Sequence, residues 1–165
     1  MELRCPTLDD VERVRQWRNA TPEILRTSHM LTKEQQERFY RDVVCDRRAN
    51  SRWWSVYSRD NLVGFGGLLN IEWENGLAEV SLILSPQARG KGYGEAAVEM
   101  LLAEGFDNMG LLTIYGECYE CNTERWGFWQ KLVEKYGGHA TTIPRRKRWQ
   151  GKLYDALHFS FWKKG

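Results

Sequence analysis

The run LAEVSLILSPQARGKGYGEAAVEMLLAEGF, residues 77–106, decides how the remainder of the chain is read. It opens as an apolar strand, breaks into a glycine loop and continues as an amphipathic helix with Ala97, Val98, Leu101 and Leu102 on one face. In the loop, Gly90, Gly92 and Gly94 alternate with Arg89, Lys91 and Tyr93. Glycine admits positive φ and lets a ligand approach the backbone, and the start of the following helix adds partial positive charge. Phosphate oxygens suit such a loop. The spacing is not that of a P-loop, because no GK[ST] closes it, and the dinucleotide fingerprint G-x-G-x-x-G fails as well. A tight strand-to-helix turn with solvated basic residues is the plainer alternative.

Upstream, residues 3–8 read as a short strand, and Thr7 with Asp10 predicts a capped helix that turns Val11, Val14 and Trp17 inward. Pro22 marks a loop, and residues 32–35 repeat the capping pattern ahead of Phe39, Tyr40, Val43 and Val44. Residues 52–58 and 62–71 are β-rich runs around the turn Arg59-Asp60-Asn61, with Glu74-Asn75-Gly76 as the next turn before strand 77–84. Downstream, the helix reaches about Asp107, and residues 111–119 form a buried strand able to lie parallel to 77–84. Asn122 or Thr123 caps a fourth helix that ends at Gly137-Gly138. Strands 139–145 and 153–162 close the chain around the basic segment 145–152.

The 165 residues suit one domain, 1–165, able to bury about two-thirds of its unfolded surface without disulfides or metal. With 24 basic and 22 acidic residues the net charge of +2 gives no global case for nucleic acid or an acidic membrane. Cys5, Cys45, Cys118 and Cys121 are too scattered for a secreted disulfide scaffold, which predicts a reducing, cytoplasmic setting. The CxxC at 118–121 falls in the predicted strand, whose pleat would send the two sulfurs to opposite faces, and His29, His139 and His158 share no ligand spacing. No metal is expected. Neither a signal peptide nor an apolar run near ~20 residues is visible, so no membrane partner is expected.

Arg89-Gly90-Lys91-Gly92-Tyr93-Gly94 resembles the R/Q-x-x-G-x-G/A segment of the GNAT N-acetyltransferases. The order strand, two helices, three strands, helix, strand, helix, two strands is similar to theirs as well, across essentially the whole chain. Arg4 and Trp17-Arg18-Asn19 look like the branch that acetylates ribosomal-protein N-termini and amino-sugar nucleotides, and Ala78-Glu79, Asn122 and Tyr154-Asp155 add to the match. The resemblance implies an α/β fold with a mixed, mostly antiparallel sheet of about seven strands and four helices. It also implies transfer of an acetyl group from acetyl-coenzyme A to a primary amine. Arg89, Gly90, Lys91, Gly92, Tyr93 and Gly94 would grip the pyrophosphate. Leu82, Ile83 and Leu84 would offer backbone groups to the pantetheine arm and the acetyl carbonyl, with Asn122 and Trp129 beside the coenzyme. Trp17, Arg18 and Asn19 would meet the acceptor.

Glu79 lies in the apolar run 78–84, where an ionised carboxylate needs a partner or a purpose. It is either a hairpin-end charge or the base that takes a proton from the incoming ammonium, since only a neutral amine attacks a thioester. Glu117 and Glu120 are rival bases. Many relatives carry a tyrosine acid seven residues beyond the junction asparagine, where this chain has Trp129, and Tyr93, Tyr115, Tyr119 and Tyr136 are the nearest tyrosines in sequence. A thiolate with pKa about 8.5 also leaves without an acid. Direct attack is favoured over a cysteine intermediate because Cys118 and Cys121 have no histidine partner in sequence.

The basic segment carries Arg145 and Arg148, which would border the acceptor entrance on a turn and favour an anionic acceptor; a solvated hairpin tip is the alternative reading. Protein N-termini, lysines, amino-sugar nucleotides, polyamines and antibiotics all stay open as acceptors, the branch resemblance favouring the first three. A homodimer is compatible with all of them. Two rival functions are a non-catalytic protein-binding module of the same fold and a nucleic-acid binder that uses 145–152.

Overall fold

A computed structural model describes residues 1–26 and 28–164. One seven-stranded sheet, in the order β1-β2-β3-β4-β5-β7-β6, carries helices on both faces. The strands are β1 Glu2–Arg4, β2 Ser51–Ser58, β3 Asn61–Glu72, β4 Leu77–Leu84, β5 Thr113–Tyr119, β6 Gly138–Trp149 and β7 Lys152–Trp162. The helices are α1 Leu8–Asn19, α2 Lys33–Phe39, α3 Tyr93–Ala103 and α4 Thr123–Tyr136.

Both predicted capping boxes form, Thr7 with Asp10 and Thr32 with Gln35, each pairing one side chain with the other's backbone amide. β1 is shorter than the predicted 3–8 because Pro6 and Thr7 already belong to the approach to α1. α2 and α3 each run on into a five-residue π-helical turn, Tyr40–Val44 and Glu104–Asn108. Between β2 and β3 the turn is tighter than predicted: Ser58 pairs with Asn61, and Arg59 takes φ +55°.

Alternation along the strands sorts the core into two layers. Leu68, Val80, Ile114, Leu157, Phe159 and Phe161 pack under α3 and α4 with Val98, Leu101, Trp129 and Leu132. Phe65 and Ile83 point the other way, onto Val11 and Val14 of α1, with Phe39 and Trp53 beside them. Asp10 fastens α1 to the sheet edge, accepting hydrogen bonds from Ser55 Oγ at 2.9 Å and Tyr57 Oη at 2.6 Å. Burial raises the Asp10 pKa, but the bonds from Tyr57, the Thr7 amide and Ser55 outweigh it and hold the group below its ordinary value.

The C-terminal hairpin differs most from expectation. Residues 145–149 are strand, and the turn is Gln150-Gly151 with φ of +46° and +76°. Pro144 marks a bulge, where the register shifts between Ile143 and Lys147 and Arg145 takes φ +55°. Arg145, Arg146, Lys147 and Arg148 are therefore spread along β6 and Lys152 opens β7, with Lys147 pointing inward and only 5% exposed.

One pairing sets the stage for the site. β4 and β5 run parallel but pair only over Leu77–Thr113, Ala78–Ile114 and Glu79–Tyr115. Beyond that point β4 stays with β3 as far as Leu84, while β5 stays with β7. The strands part, and the groups of Val80 to Leu84 that point away from β3 have no strand partner.

Candidate active site

Two cavities open on either side of that parting. The larger, about 570 Å³, runs from the glycine loop along β4 to the start of α4. Leu82, Leu84, Arg89, Gly90, Gly92, Gly94, Asn122 and Trp129, all expected at the coenzyme from the resemblance, line it. Gly90 and Gly92 take φ of +71° and +81°, and a Cβ at either would meet nothing within 4 Å. Both leave the loop backbone uncovered. Gly94 is different in kind: a Cβ there would press on Leu84 and the Phe128 ring at 3.2–3.3 Å. Lys91 is exposed and Tyr93 packs beside Val56 and Ala97, so neither side chain lines the cleft.

The smaller cavity, about 280 Å³, lies on the α1 and α2 side and is lined by Arg18, Arg26, Phe39, Trp53, Phe65, Glu79, Ile83, Glu117 and Tyr119, among others. Ile83, predicted at the coenzyme, faces this side instead, because its pleat position is opposite to Leu82 and Leu84. Trp17 packs against the α1 core, and Asn19 holds the backbone of Leu31 through two hydrogen bonds of 2.8 and 2.9 Å. Of the predicted acceptor residues only Arg18 lines a cavity. Arg145 and Arg148 are exposed and line neither.

Ile24, Leu82, Asn122, Arg125 and Trp129 line both cavities and form their shared wall. Trp129 is fixed there by Phe159, stacked at 4.1 Å, which occupies space that a Cβ on Gly116 would fill at 2.5 Å. Asn122 caps α4, its side-chain oxygen accepting from the Arg125 amide at 3.4 Å. Ile24 arrives on a short turn, Pro22–Ile24, that crosses the site; Cys121 donates to the Glu23 carbonyl at 3.4 Å, and Lys147 donates to the Leu25 carbonyl and to Ser28 Oγ.

Glu79 is 8% exposed and sits at the last paired position before the strands part. Its two oxygens accept from Arg26 Nη2 at 2.5 Å and Asn70 Nδ2 at 2.8 Å. The Glu79 bond raises the Arg26 pKa further above its ordinary value. Glu117 is held by Arg146 at 3.2 Å, and Glu120 is exposed outside both cavities. Arg125 has no carboxylate partner among the described residues; burial, then the neighbouring Arg89 charge, lowers its pKa to about 10. Burial pushes the Cys118 thiol up to about 12 and also raises Cys121, which keeps both protonated and poor nucleophiles at neutral pH. Cys121 lies in the turn after β5, not in the strand as predicted. Of the four tyrosines nearest in sequence, only Tyr119 lines either cavity.

Arg26, Arg125, Ile24 and Phe128 were not singled out from sequence. Arg125 had a signal: it lies four residues before Trp129 on α4, hence on the same face.

A cleft with bare loop amides and two cations, joined through parted strands to a second cavity, suits a transferase that draws a group from a phosphate-bearing donor. The chain belongs to the GNAT acetyltransferase family, whose acetyltransferase (GNAT) domain pattern matches residues 1–137. It is similar to an uncharacterised N-acetyltransferase, p20, of Bacillus licheniformis, with 28% identity over 123 residues, 74% of this chain and 67% of that one. Its fold is similar to that of the Vibrio cholerae spermidine N-acetyltransferase in complex with CoA and spermine, with a TM-score of 0.84 at 19% identity over 98% of this chain and 94% of the other. A single-substitution mutant of the same enzyme matches at a TM-score of 0.83 and 19% identity, over 98% and 95% of the two chains. Acetyl-coenzyme A is the donor this family uses, and the uncovered amides of Gly90 and Gly92 with Arg89 and Arg125 suit its phosphates. Among the described residues no helix is long and apolar enough to cross a membrane, and no group of three metal-ligating side chains forms.

Proposed function

We propose that the chain transfers the acetyl group of acetyl-coenzyme A to a primary amine by direct attack, with the coenzyme in the larger cleft and the amine in the smaller cavity. The observation that carries this reading is the shared wall of Ile24, Leu82, Asn122, Arg125 and Trp129, the one place where groups held in the two cavities meet. The bound coenzyme supplies a thioester carbonyl there. Unpaired backbone groups of Val80 to Leu84 bind the pantetheine amides as a neighbouring strand would, and a free amide among them polarises the carbonyl.

Glu79 is the proposed proton acceptor. A primary amine with pKa about 10 is almost wholly protonated at pH 7, so the proton has to leave before attack. Arg26 and Asn70 occupy the carboxylate, so the amine reaches it by displacing Arg26 or through a water. The Arg26 side chain is 56% exposed, which leaves it room to swing aside. Trp129 has only an indole N–H to offer and acts as a wall, with the thiolate leaving unaided.

A second reading, a non-catalytic module, draws on Trp129 standing where many relatives have an acid. Thiol release from acetyl-coenzyme A with a mixture of amines separates the two. Release that depends on the amine is expected; coenzyme binding with no release would replace the enzymatic reading with the second one.

A further inference from the structure

Every carboxylate lining the smaller cavity already has a cation. Glu79 carries Arg26, and Glu117 carries Arg146. The cations are less well served: of Arg18, Arg26 and Arg125, only Arg26 has a carboxylate among the described residues. The cavity is thus left with two uncompensated positive charges.

They are not equivalent. Arg125 lines both cavities and stands beside Arg89, so its charge is directed to the donor cleft. Arg18 lines the smaller cavity alone. It occupies the last turn of α1, a helix pinned by Asp10 at one end and by the bonds of Asn19 to Leu31 at the other. Arg18 is half-buried, shares the cavity wall with Val14, Phe39, Trp53 and Phe65, and burial lowers its pKa. Holding an unpaired guanidinium in such a place is costly unless an anion arrives to pair with it.

We propose that the acceptor is a primary amine that also bears a carboxylate or a phosphate, and that Arg18 binds this anion while the amino group faces the shared wall. The inference rests on the acetyl-transfer reading and names the acceptor class within it. A guanidinium fork suits either oxyanion, since both accept two parallel N–H bonds. A di- or polyamine would meet two like charges and no free carboxylate, an arrangement that rejects it.

The test is thiol release by the wild-type protein with matched acceptors: phosphoethanolamine against ethanolamine, β-alanine against β-alaninamide, and spermidine as the cationic arm. The anionic member of a pair should exceed its neutral partner in kcat/KM by about tenfold to hundredfold, as expected for one charge-assisted contact, and the pair that responds distinguishes phosphate from carboxylate. Arg18→Gln should remove that advantage by raising KM for the anion-bearing member of a pair far more than for the partner that lacks the anion, with partial recovery in Arg18→Lys. Preference for a neutral or cationic acceptor, or equal losses for both members of a pair in Arg18→Gln, overturns the inference and leaves acetyl transfer standing. The wild-type preference needs no variant to fold. Absence of release with every amine, while acetyl-coenzyme A still raises the melting temperature, removes the acetyl-transfer reading and this inference with it.

Discussion

The larger cleft takes most of its wall from residues 82–94 and 121–129, two short strand-to-helix passages. The smaller cavity gathers Val14, Arg18, Arg26, Phe39, Trp53, Phe65, Glu79 and Glu117 from most of the length of the chain. The first presents loop and strand backbone, the second presents side chains. A donor whose chemistry is constant can be gripped by amides that every sequence possesses, provided glycine leaves them bare. An acceptor has to be told apart from its competitors, and that takes charges and shapes that only side chains supply.

The largest expected effect breaks the backbone half. Valine at position 92 would take φ near +81°, at a cost of about 1–2 kcal/mol, and place its branch where the cleft is open. Acetyl-coenzyme A at one hundred times its Kd should stabilise the wild type by about 2.7 kcal/mol, and Gly92→Val should lose nearly all of that thermal shift. A shift that survives would take the loop out of the donor site.

Next comes a side chain at the border. Glu79→Gln should lower turnover by about a hundredfold at pH 7 and by less at pH 9.5, where neutral amine forms without help. The coenzyme-induced melting shift should be unchanged. Equal loss at both pH values would transfer the role to Glu117, the other carboxylate of the cavity.

A gentler change loosens the acceptor half alone. Asp10→Asn weakens the bonds that tie α1, and with it Arg18, to Ser55 and Tyr57, at a cost of about 1–3 kcal/mol near neutral pH. The acceptor KM should rise while coenzyme affinity holds. Because the folded Asp10 pKa lies below its ordinary value, its contribution is complete above about pH 4 and is lost as pH falls through the folded value. The melting difference between wild type and variant should be flat at neutral pH and shrink in acid. A difference that persists unchanged in acid would deny Asp10 that role.

The smallest effect concerns the basic strand. Changing Arg145 and Arg148 together to serine should leave acceptor kcat/KM within about twofold and parallel to wild type as salt rises, since both are exposed, line neither cavity and are weakened by solvent and salt. Diverging salt curves would restore these arginines to the acceptor's approach.

The same contrast explains what could be read from the sequence. The strand 77–84, its loop and the start of α3 rest on local signals, a short apolar run followed by glycines and then a 3.6-residue period, and strand 77–84 is observed at its predicted bounds. Arg26 carried no local mark as a cavity residue, and Arg125 only its place on the Trp129 face of α4, because a lone arginine in a loop or on a helix reads as solvated until distant chain folds over it. Arg18 was picked out only by resemblance. Residues 146–149 were misread because the basic run beyond the predicted strand shows no apolar alternation and reads as a solvated turn, although Pro144 itself lay inside that strand. Here it sits at a bulge, and the two-residue turn signal was Gln150-Gly151, six residues further on.

The parting of β4 and β5 has a mechanical consequence. The strands β1–β4 and β5–β7 are one sheet only through three residue pairs, with α3 and α4 as the outer brace. On the proposed reading, the pantetheine arm lies where the missing ladder would be and stitches the two half-sheets together. Continuity of the sheet then becomes a function of donor concentration. In hydrogen exchange, the gap-facing amides between Val80 and Leu84 should exchange freely in the unliganded protein and slow on saturation, along with the rungs at Leu77, Ala78 and Glu79 that the arm relieves of strain-bearing alone.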